Sequence, residues 1–257
     1  MRAPLPGNVG PLLPEQERAA DSGAKGMIPI GRPFLEYMIS ALADAGISTV
    51  VLVIGREQGA VREHFTMRAP PARVRVRFAE QAEAKGTADA VLAAERVMDD
   101  APFLVLNADN YYPAATVRAV AALGAAGLAC FEADALVRSS NIGPERVLRF
   151  ALCDVDADGW LRAIVEKPGP EHPLTRAAPR LVSMNLWSFT SRIFEACRRV
   201  TPSPRGELEL VSAVWIAMHE LGERFRCVHS SEAVLDLSTR GDIASVAAHL
   251  RTAEAKP

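Results

Sequence analysis

What most constrains this chain is a rhythm. Short apolar runs, with no polar residue alternating through them, are followed repeatedly by segments of helical period. The clearest run is Phe103-Leu-Val-Leu106, which stops abruptly at Asn107-Ala-Asp109-Asn110. Such a run marks a strand buried on both faces, as in the middle of a parallel sheet. Residues 48–54, STVVLVI, predict a second. Pro33 opens a helix with Leu35, Met38, Ile39 and Leu42 on one face and Gly46 as its stop. Residues 59–65, 86–98 and 113–126 read as further helices, and 73–78 and 128–131 as strands. This alternation predicts an α/β fold: a mostly parallel, Rossmann-like central sheet with helices on both faces.

The rhythm changes after Glu132. Residues 147–153 and 160–165 flank Asp154-Val-Asp-Ala-Asp-Gly159, a hairpin turn signal. Residues 181–189 and 225–228 read as strands. Residues 207–218 read as a helix with Leu208, Val211, Trp215 and Met218 on one stripe, and 241–255 as a terminal helix. No repeat or linker appears. The chain reads as a single domain, 1–257, with one half at 1–131 and a mixed, substrate-facing lobe at 132–257. Residues 1–26 carry no periodicity and are punctuated by Pro4, Pro6, Pro11 and Pro14. They read as a long loop with one helical turn around 15–20, and an opening of that length suggests work on a ligand.

Composition excludes several classes. The net charge of −2 gives no basic footprint for nucleic acid. Cys130, Cys153, Cys197 and Cys227 form no C-x-x-C pair, which fits a reduced, cytoplasmic chain better than a zinc site or disulfide scaffold. No apolar run approaches the roughly 20 residues of a membrane span, and no signal peptide is visible.

Polar residues at the ends of the runs are the candidate site. In open α/β sheets ligands bind beyond the carboxyl ends of the strands, so Asp109 stands at the mouth of a crevice, where a carboxylate can hold Mg²⁺. Asp236, in Leu235-Asp-Leu-Ser-Thr239, is a second strand-end carboxylate; two such groups can share one Mg²⁺, although Asp236 also suits a helix cap. Lys25, in Lys25-Gly-Met-Ile-Pro29, can meet phosphate as a point charge or sit solvated on the surface. Gln81 precedes Gly86-Thr87-Ala-Asp89, a helix entry; its amide both donates and accepts, which suits a nucleobase edge. Glu166 and Lys167, before Pro168, can hold a sugar hydroxyl and a phosphate, or form a surface ion pair. Asn185 is an amide inside an apolar strand and needs partners, from ligand or backbone.

Singly these signals are weak, but their order is specific. KGMIP, the glutamine segment with GTADA, LNADN, VEKP, Asn185 in its strand, GELEL and D-x-x-T together resemble the sugar-phosphate nucleotidyltransferases, from about Lys25 to Ile243. The resemblance implies that a sugar 1-phosphate attacks the α-phosphorus of an NTP and that pyrophosphate leaves. It implies Asp109 and Asp236 as Mg²⁺ ligands, Lys25 on the triphosphate, and Lys167 on the sugar phosphate. Glu166 and Asn185 would meet the sugar hydroxyls. Gln81 and Gly86, with Thr87, would take the base, and their spacing leans to UTP or dTTP. Residues 1–131 become a nucleotide-binding half and 132–257 a sugar-phosphate half. NTP and sugar 1-phosphate are then the partners, without nucleic acid or membrane, and a homo-oligomer is compatible. Two other classes stay open: a catalytically silent nucleotide-sugar binder, and a glycosyltransferase of similar sheet, for which Asn107-Ala-Asp109 supplies one carboxylate of a D-x-D motif.

One departure stands out. The family opens with a buried strand and a G-x-G-T-R loop that wraps the triphosphate, and this chain shows neither. Burying about five apolar side chains of such a strand is worth roughly 1.5–3 kcal/mol each, about a domain's whole net stability. The expectation is a reading frame that starts upstream of Met1. An in-frame stop directly before Met1, with no such coding upstream, would end it.

Overall fold

The computed structural model describes Gln16 and residues 25–257. The opening loop expected over 1–26, with its turn at 15–20, otherwise lies outside the described residues. Beyond it, α1 (Phe34–Asp44) buries Leu35, Met38, Ile39 and Leu42, the stripe its spacing predicts. β1 (Thr49–Gly55) and β2 (Arg75–Gln81) pair in parallel, Thr49 opposite Arg75 and Gly55 opposite Gln81. The short α2 (Gly59–Glu63) lies between them in sequence. α3 (Thr87–Ala94) leads to β3 (Phe103–Val105) and the two-residue β4 (Asn110–Tyr111). α4 (Ala114–Ala121), β5 (Gly127–Glu132), α5 (Ala133–Ser139) and α6 (Pro144–Val147) follow.

β6 (Ala151–Val155) and β7 (Leu161–Val165) form the expected hairpin. Its turn is fixed by Asp156, whose Oδ1 accepts from the backbone N–H of Asp158 at 3.0 Å and of Trp160 at 2.8 Å. β8 (Leu181–Phe189), α7 (Arg192–Arg199), α8 (Leu210–His219), β9 (Arg226–Ser230), β10 (Leu235–Asp236) and α9 (Asp242–Leu250) complete the chain. Among the described residues, no helix is long and apolar enough to cross a membrane.

The α/β class holds, but the sheets are mixed rather than mostly parallel. Among the described residues, parallel pairing is confined to β1–β2 and β5–β9. β8 is antiparallel to β3, β5 and β6. β3 is not the doubly buried centre of a parallel sheet. It pairs with β8 alone and is half-buried, because it faces a cavity. β1 lines the same cavity, and β1 and β3 do not pair across it. Neither apolar run is buried on both faces as expected: each turns one side to the cavity, and the run does not report which neighbour lies alongside.

The 207–218 helix begins later than its periodicity suggests, at Leu210. Leu208 is held in extended pairing instead: its N–H donates to Lys85 O (2.7 Å) and its carbonyl accepts from Ala88 N–H (2.9 Å). The buried face of α8 is Leu210, Ala213, Val214 and Ala217, which share an apolar cluster with Ile193, Phe194 and Cys197 of α7. The expected stripe through Trp215 is the wrong one: Trp215 is 53% exposed. Within the same cluster, Trp187, Phe189 and Phe225 pack with ring centroids 5.6 to 6.1 Å apart.

Candidate active site

A single cavity of about 1250 Å³ gathers most of the residues that the sequence singles out. Lys25, Gln81, Thr87, Asp109, Glu166, Lys167 and Asn185 all line it; Gly86 and Asp236 do not. Its floor is made by a split along one edge of β8. β6 occupies that edge opposite Leu181–Ser183, and β3 occupies it opposite Trp187–Phe189. Between them the register with β5 slips, and Asn185 sits in the left-handed region at φ 57°. Asparagine tolerates that conformation better than most residues. Its Oδ1 accepts from the buried Trp187 Nε1–H at 3.3 Å.

Lys167, just past β7, is also left-handed, at φ 44°. Two non-glycine residues in this region, both on one cavity, are an independent sign of a functional site, where such strain concentrates. Glu166 beside it is crowded. Partial burial pushes its carboxyl pKa above the usual carboxylate range, the nearby Glu209 adds to the rise, and Lys167 and Arg205 oppose it.

Lys25 and Asp109 form an ion pair, Nζ to Oδ2 at 3.0 Å, with both side chains partly exposed to the cavity. Asp236 is brought next to them by β10, which places it opposite Asn110 across an antiparallel pair; Leu237 N–H donates to Asp109 O at 2.8 Å. The two carboxylates, 127 positions apart by subtraction of their numbers, thus share one corner of the molecule. Their settings differ. Asp236 is 2% exposed. Its Oδ1 accepts from Ser238 Oγ–H and Asn110 Nδ2–H, and its Oδ2 from Arg146, which also bridges to Asp242. Burial raises the Asp236 pKa, despite Ser238 and Arg146.

Gly86 serves the backbone. Its φ is +129°, and a Cβ there would lie 2.5 Å from Leu208 O. Thr87 Oγ1 accepts from Leu210 N–H at 2.9 Å, tying the start of α3 to the start of α8. Sequence reasoning missed Arg205 and Glu209, which line the cavity and pair at 2.9 Å. Part of the signal was present: Glu209 falls in GELEL, residues 206–210, read as a motif without roles, and Arg205 stands directly before it. It also missed Arg146, whose two buried carboxylate partners are distant in sequence.

Lys25, Asp109, Glu166 and Lys167 thus gather around one deep cavity of a Rossmann-like scaffold, with Asp109, Glu166 and Lys167 just beyond strand ends, where open α/β sheets bind their ligands. Residues 20–252 match the pattern of the family described as Nucleotidyl transferase, and the chain belongs to that family, as a sugar-phosphate nucleotidyltransferase. Among curated proteins it is 30% identical, over 193 residues, to the UTP–glucose-1-phosphate uridylyltransferase AglF of Haloferax volcanii, covering 74% of this chain and 73% of that one. It is 29% identical, over 205 residues, to the glucose-1-phosphate thymidylyltransferase of Streptomyces antibioticus, covering 75% of this chain and 51% of that one. The chain therefore spans about half the length of the second relative. Among solved structures, a UDP-glucose pyrophosphorylase complexed with UDP-glucose superposes with a TM-score of 0.73 at 18% identity, covering 90% of this chain and 91% of that one. That likeness establishes the fold.

Proposed function

We propose that this chain transfers the nucleotidyl group of a pyrimidine NTP, UTP or dTTP, to a sugar 1-phosphate and releases pyrophosphate. The observation that carries the reading is the single cavity with Lys25 and Asp109 at one strand end and Glu166, Lys167 and Asn185 around another. A reaction between two phosphorylated substrates needs cations for each, held apart and facing one another. Lys25 takes the triphosphate, exchanging its bond to Asp109 for phosphate oxygens. Lys167, helped by Arg205, takes the sugar phosphate. Glu166 and Asn185 take the sugar hydroxyls, and Gln81 takes the base, with Gly86 and Thr87 shaping the loop beside it. An oxygen of the sugar phosphate then attacks the α-phosphorus, and the bond to the pyrophosphate oxygen breaks.

Asp109 fits a divalent cation such as Mg²⁺, being a carboxylate that faces the cavity with one oxygen bonded to Lys25. Asp236 fits as a second ligand only once its Oδ2 leaves Arg146. When bound, the cation would neutralise charge developing on the phosphates. The relatives' names support the reaction class, since two of them are sugar-1-phosphate nucleotidyltransferases using UTP or a thymidine nucleotide.

The test is pyrophosphate release across a panel of NTPs and sugar 1-phosphates. Turnover with UTP or dTTP is expected. Asp109→Ala should lower kcat by at least about 10²–10³-fold with the fold intact, the scale for losing one transition-state electrostatic contact. Binding of both substrates without pyrophosphate release would instead identify a silent binder. A near-parent rate in Asp109→Ala would remove the cation assignment.

A further inference from the structure

Gln81 ends β2 and lines the cavity, and its amide is pinned from behind. Nε2 lies 2.8 Å from Asp89 Oδ2 and 3.1 Å from the Gly86 carbonyl oxygen. Both partners are pure acceptors. Turned over, the amide would set Oε1 against a carboxylate and a carbonyl, so only one orientation is tenable. Both amide hydrogens are then spent, and Oε1 with its lone pairs is what remains for a ligand. Gln81 is therefore not the two-way reader that its residue type allows. It is an acceptor.

Asp89 does not line the cavity; it sits half-buried in the first turn of α3, anchored by the helix. We infer that Asp89 is a positioning residue that sets base selectivity: by holding the Gln81 amide in one orientation, it makes the site accept bases with a ring N–H and reject cytosine. The inference rests on Gln81 reading the base, as proposed above. Uracil and thymine present N3–H between two carbonyls, and N3–H donates to Oε1. In the same pose cytosine presents a lone pair at N3, and two acceptors face each other without a proton. A site built to bond a ring N–H strongly rejects the analogue lacking it, because its own polar group is left unpaired. Free rotation of the amide would erase that distinction, since a flipped glutamine offers N–H to cytosine N3.

The experiment is isothermal titration calorimetry of UDP and CDP against the full chain and its Asp89→Ala, Asp89→Asn and Gln81→Ala variants, with thermal melts to establish folding. The parent should prefer UDP by about 100-fold or more. Asp89→Ala should narrow that ratio by about ten-fold, weakening UDP and strengthening CDP, whereas a merely structural role would weaken both together. Asp89→Asn keeps an acceptor oxygen and should hold the ratio within about three-fold of the parent. If Asp89→Ala does not fold, Asp89→Leu supplies the same loss of acceptor at similar volume. Equal weakening of both nucleotides, or a ratio narrowed as much by Asp89→Asn as by Asp89→Ala, would overturn the inference. A parent-like ratio in Gln81→Ala would instead show that the base is read elsewhere, and the assignment of Gln81 itself would fall.

Discussion

Glu166 and Arg146 illustrate opposite uses of a charged side chain. Glu166 stands at the cavity rim with its pKa raised, chiefly by desolvation and then by Glu209. Glu209 itself is lowered: burial alone would raise it, but hydrogen bonds from Arg205 and Ser203 together with the charges of Arg205 and Lys167 outweigh that. On acidification Glu166 therefore takes a proton before Glu209 does. Sugar-phosphate binding that uses the Glu166 carboxylate should weaken at a pH above the ordinary carboxylate range, and Glu166→Gln should remove that step from the pH profile while lowering kcat/KM about 10–100-fold. The stability sign runs the other way. Because the folded pKa lies above the unfolded one, the favourable contribution is complete below the unfolded value and lost as pH rises through the folded value. At neutral pH, Glu166→Gln should thus leave Tm unchanged or higher; a lower Tm would contradict it. Arg146 holds Asp236 and Asp242, both nearly fully buried. Removing it strands two carboxylates, so Arg146→Met should cost about 3–5 kcal/mol in urea unfolding.

At the scale of elements, the stitch between the start of α3 and the residues before α8 shapes the end of the cavity proposed above to read the base. Lys85, Leu208 and Ala88 exchange backbone bonds, and Thr87 caps Leu210. Gly86→Ala would drive a Cβ into the Leu208 carbonyl in a backbone conformation that suits glycine. It should destabilise the fold by at least about 1–3 kcal/mol, read in thermal melts, and weaken UTP binding. Leu208→Ala, which keeps the backbone bonds, should spare that binding. The sequence made much of this legible. α1, the 154–159 turn, β1 and β2 follow from period and turn residues, which are local properties. The positions of Asp109, Lys167 and Asn185 at strand ends or breaks were legible too, because polar residues interrupt apolar runs there. What was not legible is lateral. Nothing in residues 103–106 says that their partner is β8 rather than a parallel neighbour. Nothing in residues 207–210 says that a backbone pairing outcompetes the helical period. α7 was overlooked although Ile193, Phe194, Ala196 and Cys197 carry helical spacing, because the segment is short and strongly charged.

In the molecule as a whole, the described strands fall into three sheets, and the β1–β2 pair shares no ladder with the other two. β1 and β2 join the rest through side chains of α1 and α3 and not through strand pairing. β5, by contrast, lies between β8 and β9. Hydrogen exchange should report the difference: amides of residues 50–54 directed away from β2 should exchange at least about 100-fold faster than those of β5, as expected where backbone bonds face a cavity. Equal protection would show that the gap is bridged in solution.

The stitch at Leu208 also bears on how the two substrates sense one another. It joins the Gln81–Thr87 segment, proposed above to meet the base, to the segment that carries Arg205 and Glu209, proposed above for the sugar phosphate. If the first substrate to bind orders residues of the other's site through this stitch, the second is spared that ordering entropy. The resulting cooperativity must be reciprocal: the factor by which a nucleotide tightens the sugar phosphate is the factor by which the sugar phosphate tightens the nucleotide.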